Sequence, residues 1–226
     1  MIGNIKIRVE ENTYLKDPEG SELGQRILEE SIRQMDINGI ETFNFKKLAE
    51  SIHTTEASVY RYFENKHKLL LYLTSWYWAW LEYQIVFATV NIDNSQKKLM
   101  NALSVLIKPV LENDTYPYID LKALNRIAVS ESTKSYFTKN VDILNKSKLF
   151  RQYKSLNMRL AGILSELDDT YPFPNSLAST VLEGILHQPY YHEHLPKLND
   201  VGKDHDTLLR FFYSICTGTI QANRNL

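Results

Sequence analysis

The sequence is short of several things, and each shortage narrows the reading. Among 226 residues there is one cysteine, Cys216. No intrachain disulfide can form, and no cysteine-based zinc cluster is available. Its surroundings, Phe211 to Ile220, are apolar, so a small buried hydrophobe is expected there rather than a reactive thiol. Charge of one sign is also missing. The formal net charge is −1, and the first 70 residues set ten Lys and Arg against twelve Asp and Glu. Bulk charge therefore gives no support to nucleic-acid binding. Long apolar runs are absent too. The richest stretch, Leu69 to Val90, is interrupted by Tyr72, Thr74, Ser75, Tyr77, Glu82, Tyr83 and Gln84. A bilayer span needs about 20 predominantly apolar residues, so a buried helix is expected here and no membrane partner. Met1 to Glu10 lacks a signal-peptide core, and the cytoplasm is the expected location.

Only eight glycines and seven prolines punctuate the chain, and β-branched alternation is rare after the first ten residues. Helical spacing takes its place. Leu28, Ile32 and Met35 predict a first helix over about 21–36, stopped by Asn38-Gly39. Asn44 is a good N-cap for a short second helix with Phe45, Leu48, Ala49 and Ile52 at i, i+3, i+4 and i+7. Thr54 or Thr55 caps a third helix carrying Val59, Tyr60 and Phe63, and Asn65 caps a long fourth one with Leu69, Leu73, Trp76 and Trp80. Further helices are expected from Leu99 to Val110, ending near Asn113-Asp114, and around Leu121 to Ala128. One long segment, 139–167, should follow. Tyr171 to Pro174 should be a loop, and the last two helices should span 177–187 and 207–222, separated by Pro189, Pro196 and Gly202. The fold class is therefore all-α: a three-helix helix-turn-helix head and a larger C-terminal helical bundle, about nine helices in all. The expected division is an N-terminal arm (1–20), a DNA-binding head (21–68) and a body (69–226).

Helix, short turn, helix from Asn44 to Phe63 is a geometry that can lay its second helix into a major groove. With its apolar stripe turned inward, the third helix offers Thr55, Glu56, Ala57, Ser58 and Arg61 outward. Short side chains let a helix backbone approach base edges closely. Local charge agrees, since Lys46, Lys47, Arg61, Lys66 and Lys68 outnumber Glu50, Glu56 and Glu64 between 44 and 68. Lys46 and Lys47 alone read as a solvated helix face.

Residues 23–73 resemble the DNA-binding head of the tetracycline-repressor (TetR) family. The resemblance is carried by Ile27-Leu28, Gly39, Phe45, Leu48-Ala49, Thr55, Ser58-Val59-Tyr60, Tyr62-Phe63, Lys66 and Leu69-Leu70. It implies that Thr55, Glu56, Ala57 and Ser58 face base edges or flanking phosphates. It also implies that Tyr60 and Lys66 meet phosphates and that Asn44 lies near the DNA backbone. The turn departs from the family pattern: Ile52-His53-Thr54 stands where alanine-glycine-valine is usual, so His53 must take the turn conformation with a side chain, at about 1 kcal/mol. The resemblance further implies a homodimer joined by its last two helices, through stripes such as Ala178-Val181-Leu182-Ile185 and Leu208-Phe212-Ile215-Thr219. Such a dimer binds a palindromic operator on double-stranded DNA and acts as a repressor that a small-molecule effector releases. The competing reading is a constitutive or protein-responsive DNA-binding regulator with no small ligand.

Other constellations carry less. Trp76, Trp78 and Trp80 with Tyr72, Tyr77 and Tyr83 could line an effector pocket, but aromatics on a long helix are more often core. His187, His192 and His194 match no standard ligand spacing, so no metal is expected. No nucleophile elbow, phosphate loop or metalloprotease helix is present, and neither an enzyme nor a cofactor is expected.

Overall fold

Ser21 starts the first helix by accepting the Gly24 N–H on its side chain, and α1 runs Glu22–Thr42. The entry is tight, because a β-carbon at Gly24 would collide with the Pro18 backbone. The computed structural model describes residues 7–108, 116–136, 139 and 141–224; among them are ten α-helices and no strand. Gly39 (φ 71°, ψ 166°) interrupts α1 as its sequence suggests, but a further turn, Ile40–Thr42, follows it. That turn places the Ile40 side chain in the core beside the break. A β-carbon on Gly39 would stand 3.2 Å from Glu131 Oε1, so this glycine serves both backbone and packing.

Helices α2 (Phe45–Ser51) and α3 (Glu56–Tyr60) follow, then α4 (Lys66–Thr89). The third helix ends earlier than its apolar pattern suggests; Tyr62 and Phe63 are buried from the turn that follows it. Along α4 the aromatics Tyr72, Trp76, Tyr77, Trp78 and Trp80 are all buried, while Tyr83 is exposed. The core reading holds for those five. Asn94 caps α5 (Ser95–Ile107). The helix end expected near Val110 and Asn113-Asp114 lies outside the described residues.

After α6 (Leu121–Tyr136) the segment expected as one helix is two, α7 (Val141–Lys146) and α8 (Arg151–Ser165). Lys148, at φ 60°, divides them. The break lets Leu149 and Phe150 turn into an apolar cluster with Leu71, against which Val141 and Leu144 also rest. Helix α9 (Pro174–His194) is longer than expected at both ends. Pro174 occupies a first-turn position, where its missing N–H costs nothing, and Pro189 is accommodated inside the helix at the expense of one backbone bond. Asp204 caps the last helix, α10 (His205–Asn223).

The chain divides into two compact units, Met1–Ala79 with Leu111–Tyr153, and Trp80–Val110 with Lys154–Leu226. In the first, α1 lies against α2 and α6, and Arg126 grips Asp36 with two bonds of 2.7 Å. The arm before α1 is bound into the same unit. Leu15 donates its N–H to the Tyr62 carbonyl at 2.7 Å, and Lys68 Nζ reaches the Asn12 carbonyl at 2.8 Å. Glu19 accepts at Oε1 from Tyr72 OH (2.7 Å) and Trp76 Nε1 (3.2 Å), and at Oε2 from Tyr118 OH (2.8 Å). Burial, and then the adjacent Glu19 carboxylate, raise both tyrosine pKa values above the ordinary range.

In the second unit α10 packs on α5 and α9, and α9 also on α5. Gly184 permits a close approach, since a β-carbon there would lie 2.8 Å from Phe212 Cε1. Ala178, Val181, Leu182, Ile185, Leu208 and Phe212, expected to face a second copy, are buried inside this unit; only Ile215 and Thr219 of those stripes retain open surface. The expectation is corrected for a simple reason. The most apolar stripe of each helix serves the core of its own unit first. Cys216 is buried among them, and its thiol is pushed up to about 12 by that burial, in keeping with an inert hydrophobe.

Candidate nucleic-acid interface

The head is assembled around buried Ile27, Leu28, Ile32 and Met35 of α1, Phe45, Leu48 and Ala49 of α2, and Val59 of α3. Burying each of the larger aliphatic side chains contributes about 1.5–3 kcal/mol, so the short helices, too small to persist alone, are fixed by their inner faces.

The turn between α2 and α3 closes without glycine. His53 adopts φ 53° and is itself exposed. Two backbone bonds seal the helix end around it: Thr54 N–H to the Ala49 carbonyl (2.9 Å) and His53 N–H to the Glu50 carbonyl (3.2 Å). This is the paired closure usual for a left-handed residue just past a helix. The Arg26 guanidinium also donates to the Ile52 carbonyl. The left-handed turn inferred from the sequence is present, and these bonds offset its cost.

Thr55, not Thr54, caps α3, accepting the Ser58 N–H at 3.2 Å. Thr55, Glu56, Ala57 and Arg61 are exposed and Ser58 half-buried, whereas Val59, on the opposite side, is 0% exposed. The Thr55 and Ser58 hydroxyls share a hydrogen bond of 2.9 Å, and Arg61 Nη2 donates to Ser58 Oγ at 3.1 Å. Glu56 carries its charge on the same face. The result is a slim polar edge backed by an apolar one.

Tyr60 leaves the helix sideways. Its ring meets Phe45 edge-on at 5.0 Å, yet 46% of the residue remains exposed. Asn44 caps α2 by accepting the Lys47 N–H at 3.0 Å and is exposed. Lys66 is placed differently from a free surface cation. Its ammonium donates to the carbonyls of Ile40 (2.9 Å), Glu41 (3.0 Å) and Phe43 (3.2 Å), which consumes its three hydrogens. A phosphate near Lys66 would meet its charge rather than a spare donor.

Beside α2 lies an open recess of about 310 Å³, lined by Gln34, Asn38, Thr42, Phe43 and Lys47. Gln34 and Thr42 of α1 carry no signal in the sequence, and Asn38 reads there only as part of the Asn38-Gly39 stop. Elsewhere, His187 stacks on Tyr191 and bonds the Glu183 carbonyl at 2.7 Å. Among the described residues no three His, Cys, Asp or Glu come together as a metal site, and no helix is long and apolar enough to cross a membrane.

Known proteins resemble this chain in its head and in its fold. Residues 27–73 match the family described as bacterial regulatory proteins, tetR family. A tetR-family regulatory protein from Rhodococcus RHA1 superposes with a TM-score of 0.62 at 15% identity, over 88% of this chain and 97% of that one. The fatty acid degradation regulator FadR from Bacillus halodurans gives 0.59 at 14% identity, over 85% and 93%. AibR in complex with isovaleryl coenzyme A and operator DNA gives 0.56 at 16% identity, over 84% and 97%. At such identities the likeness concerns the fold. No curated protein matches the sequence.

Proposed function

Starting from a head of the tetR family on a chain with the all-helical fold of such regulators, we propose that this protein is a sequence-specific DNA-binding repressor. In this reading two copies insert α3 into successive major grooves of a palindromic operator, with heads about 34–36 Å apart. The observation that carries it is α3 itself: Thr55, Glu56, Ala57, Ser58 and Arg61 turned outward against a fully buried Val59. Ala57 and Ser58 are short enough for close approach. Glu56 repels phosphate and is suited to a base edge, where a carboxylate accepts from cytosine N4. Tyr60 and Asn44 take flanking phosphates, and Lys66 adds charge while holding the end of α1 against α4.

Functionally, residues 21–68 are the DNA-binding part and 69–226 the sensing and dimerising part, working in the cytoplasm. Dimerisation uses the outer faces of α9 and α10; on α10, Phe211, Ile215 and Thr219 keep surface. A small-molecule effector releases the operator by favouring a head spacing that does not match it, and its effect is limited by its differential affinity for the two spacings. Since AibR is seen with isovaleryl coenzyme A and operator DNA, acyl-CoA thioesters are the first compounds to try. A regulator that answers no small molecule is the second reading; it is favoured if no compound shifts the complex.

The test is selection from random duplexes with purified protein, followed by titration of acyl-CoAs against the selected complex. A palindromic consensus is expected. Enrichment of no sequence at low and moderate salt would refute the function.

A further inference from the structure

We infer that Arg61 reads a guanine in each operator half-site, and that Ser58 is the residue that aims it; the inference rests on the DNA-binding function proposed above. The arginines of this chain mostly close onto carboxylates. Arg33 pairs with Glu30, Arg126 with Asp36, Arg151 with Glu10, Arg159 with Glu82 and Arg224 with Asp168. Arg61 is different. Its partner is a neutral hydroxyl, Ser58 Oγ at 3.1 Å, and no carboxylate pairs with it among the described residues. Its charge is therefore uncompensated at short range and its side chain is nevertheless oriented.

The orientation follows from helix geometry. Side chains on a helix lean toward its N-terminus, so residue 61 lies back over residue 58, one turn earlier. Ser58 is in turn tied to Thr55, the cap, through the 2.9 Å hydroxyl pair and the Ser58 N–H bond of 3.2 Å. Arg61, Ser58 and Thr55 thus form a chain of hydrogen bonds along the outward edge, beside the small Ala57. One of the five guanidinium N–H donors goes to Ser58. Four remain, enough for a two-pronged contact. In a major groove the acceptor pair that fits that fork is guanine O6 and N7. A phosphate would accept the same fork, but the serine holds it along the base-facing edge, and the exposed Lys46 and Lys47 are available for the flanking backbone.

Selection from random duplexes with wild type, Arg61→Ala, Arg61→Lys and Ser58→Ala tests this. Arg61 is exposed and Ser58 half-buried, and thermal melting confirms that each variant folds. Wild type is expected to fix guanine at one position of each half-site. Arg61→Ala should lose that preference alone and bind the wild-type site about 10- to 100-fold more weakly, with little change on unrelated duplex. Arg61→Lys should keep the salt dependence of wild type yet still lose the guanine, because it keeps the charge and lacks the fork. Ser58→Ala should weaken the preference without abolishing it. If Arg61→Ala selects the same consensus and loses affinity equally on all sequences, the guanine assignment is overturned while the DNA-binding function stands. If wild type selects nothing, both fail.

Discussion

The Tyr60 ring stands edge-on against Phe45, 5.0 Å between centroids, and so joins α3 to α2 while nearly half of the residue stays exposed. Packing and presentation are separate properties of one side chain here. Tyr60→Phe keeps the ring and deletes the hydroxyl. A lost phosphate bond of about 1–1.5 kcal/mol would lower affinity roughly 5- to 12-fold on operator and unrelated duplex alike, with an unchanged melting temperature. An affinity equal to wild type would remove the phosphate role from Tyr60.

Lys66 holds the segment between α1 and α2 by three carbonyls. Lys66→Ala should cost about 1–2 kcal/mol of stability, since charged hydrogen bonds at a half-buried position are lost. For a chain of this size that is about 2–8 °C in melting temperature. The slope of log affinity against log salt should change by well under one unit. A flattening of about one unit with an unchanged melting temperature would assign Lys66 to a phosphate instead.

His53, exposed at φ 53°, is a site where glycine belongs on backbone grounds. His53→Gly should raise stability by up to about 1 kcal/mol, because the left-handed conformation costs glycine nothing. Denaturant titration would show it as a higher midpoint at constant slope. A lower midpoint would mean that the imidazole makes a stabilising contact of its own.

Glu30 is held at about 2 by Arg33, which bonds it at 2.6 and 2.7 Å, with Gln34 and Ser51 assisting against the opposing effect of burial. A carboxyl depressed on folding contributes stability that is complete above its unfolded value, near 4.3, and disappears as pH falls toward 2. Wild type and Glu30→Gln should therefore differ in stability at pH 6, and the difference should shrink through pH 4 and vanish near pH 2. A gap that persists unchanged at pH 2 would attribute it to packing.

Much of the head was legible because its signals are local. Asn44, Thr55 and Asn65 act on the next three residues, and Phe45, Leu48, Ala49 and Val59 need only helical spacing to define an inner face. What escaped was decided by distant partners. The extra turn at Ile40–Thr42 depends on burying Ile40, and the break at Lys148 depends on Leu149 and Phe150 finding Leu71. The apolar stripes of α9 and α10 were visible in the sequence, but their destination was not, since one stripe reads the same whether it meets its own unit or a second copy. Pro189 inside α9 is the same kind of case: a local veto overridden by the packing of the residues before it.

The Glu19 carboxylate is the shared acceptor for two phenols and an indole. A chain trimmed to begin at Ser21 would strip three donors of their acceptor at one stroke, so Glu19 is structural mortar for the aromatic cluster it serves. With Trp78 and Trp80 replaced by Phe, the emission of Trp76 would offer a direct gauge of whether Glu19 is seated.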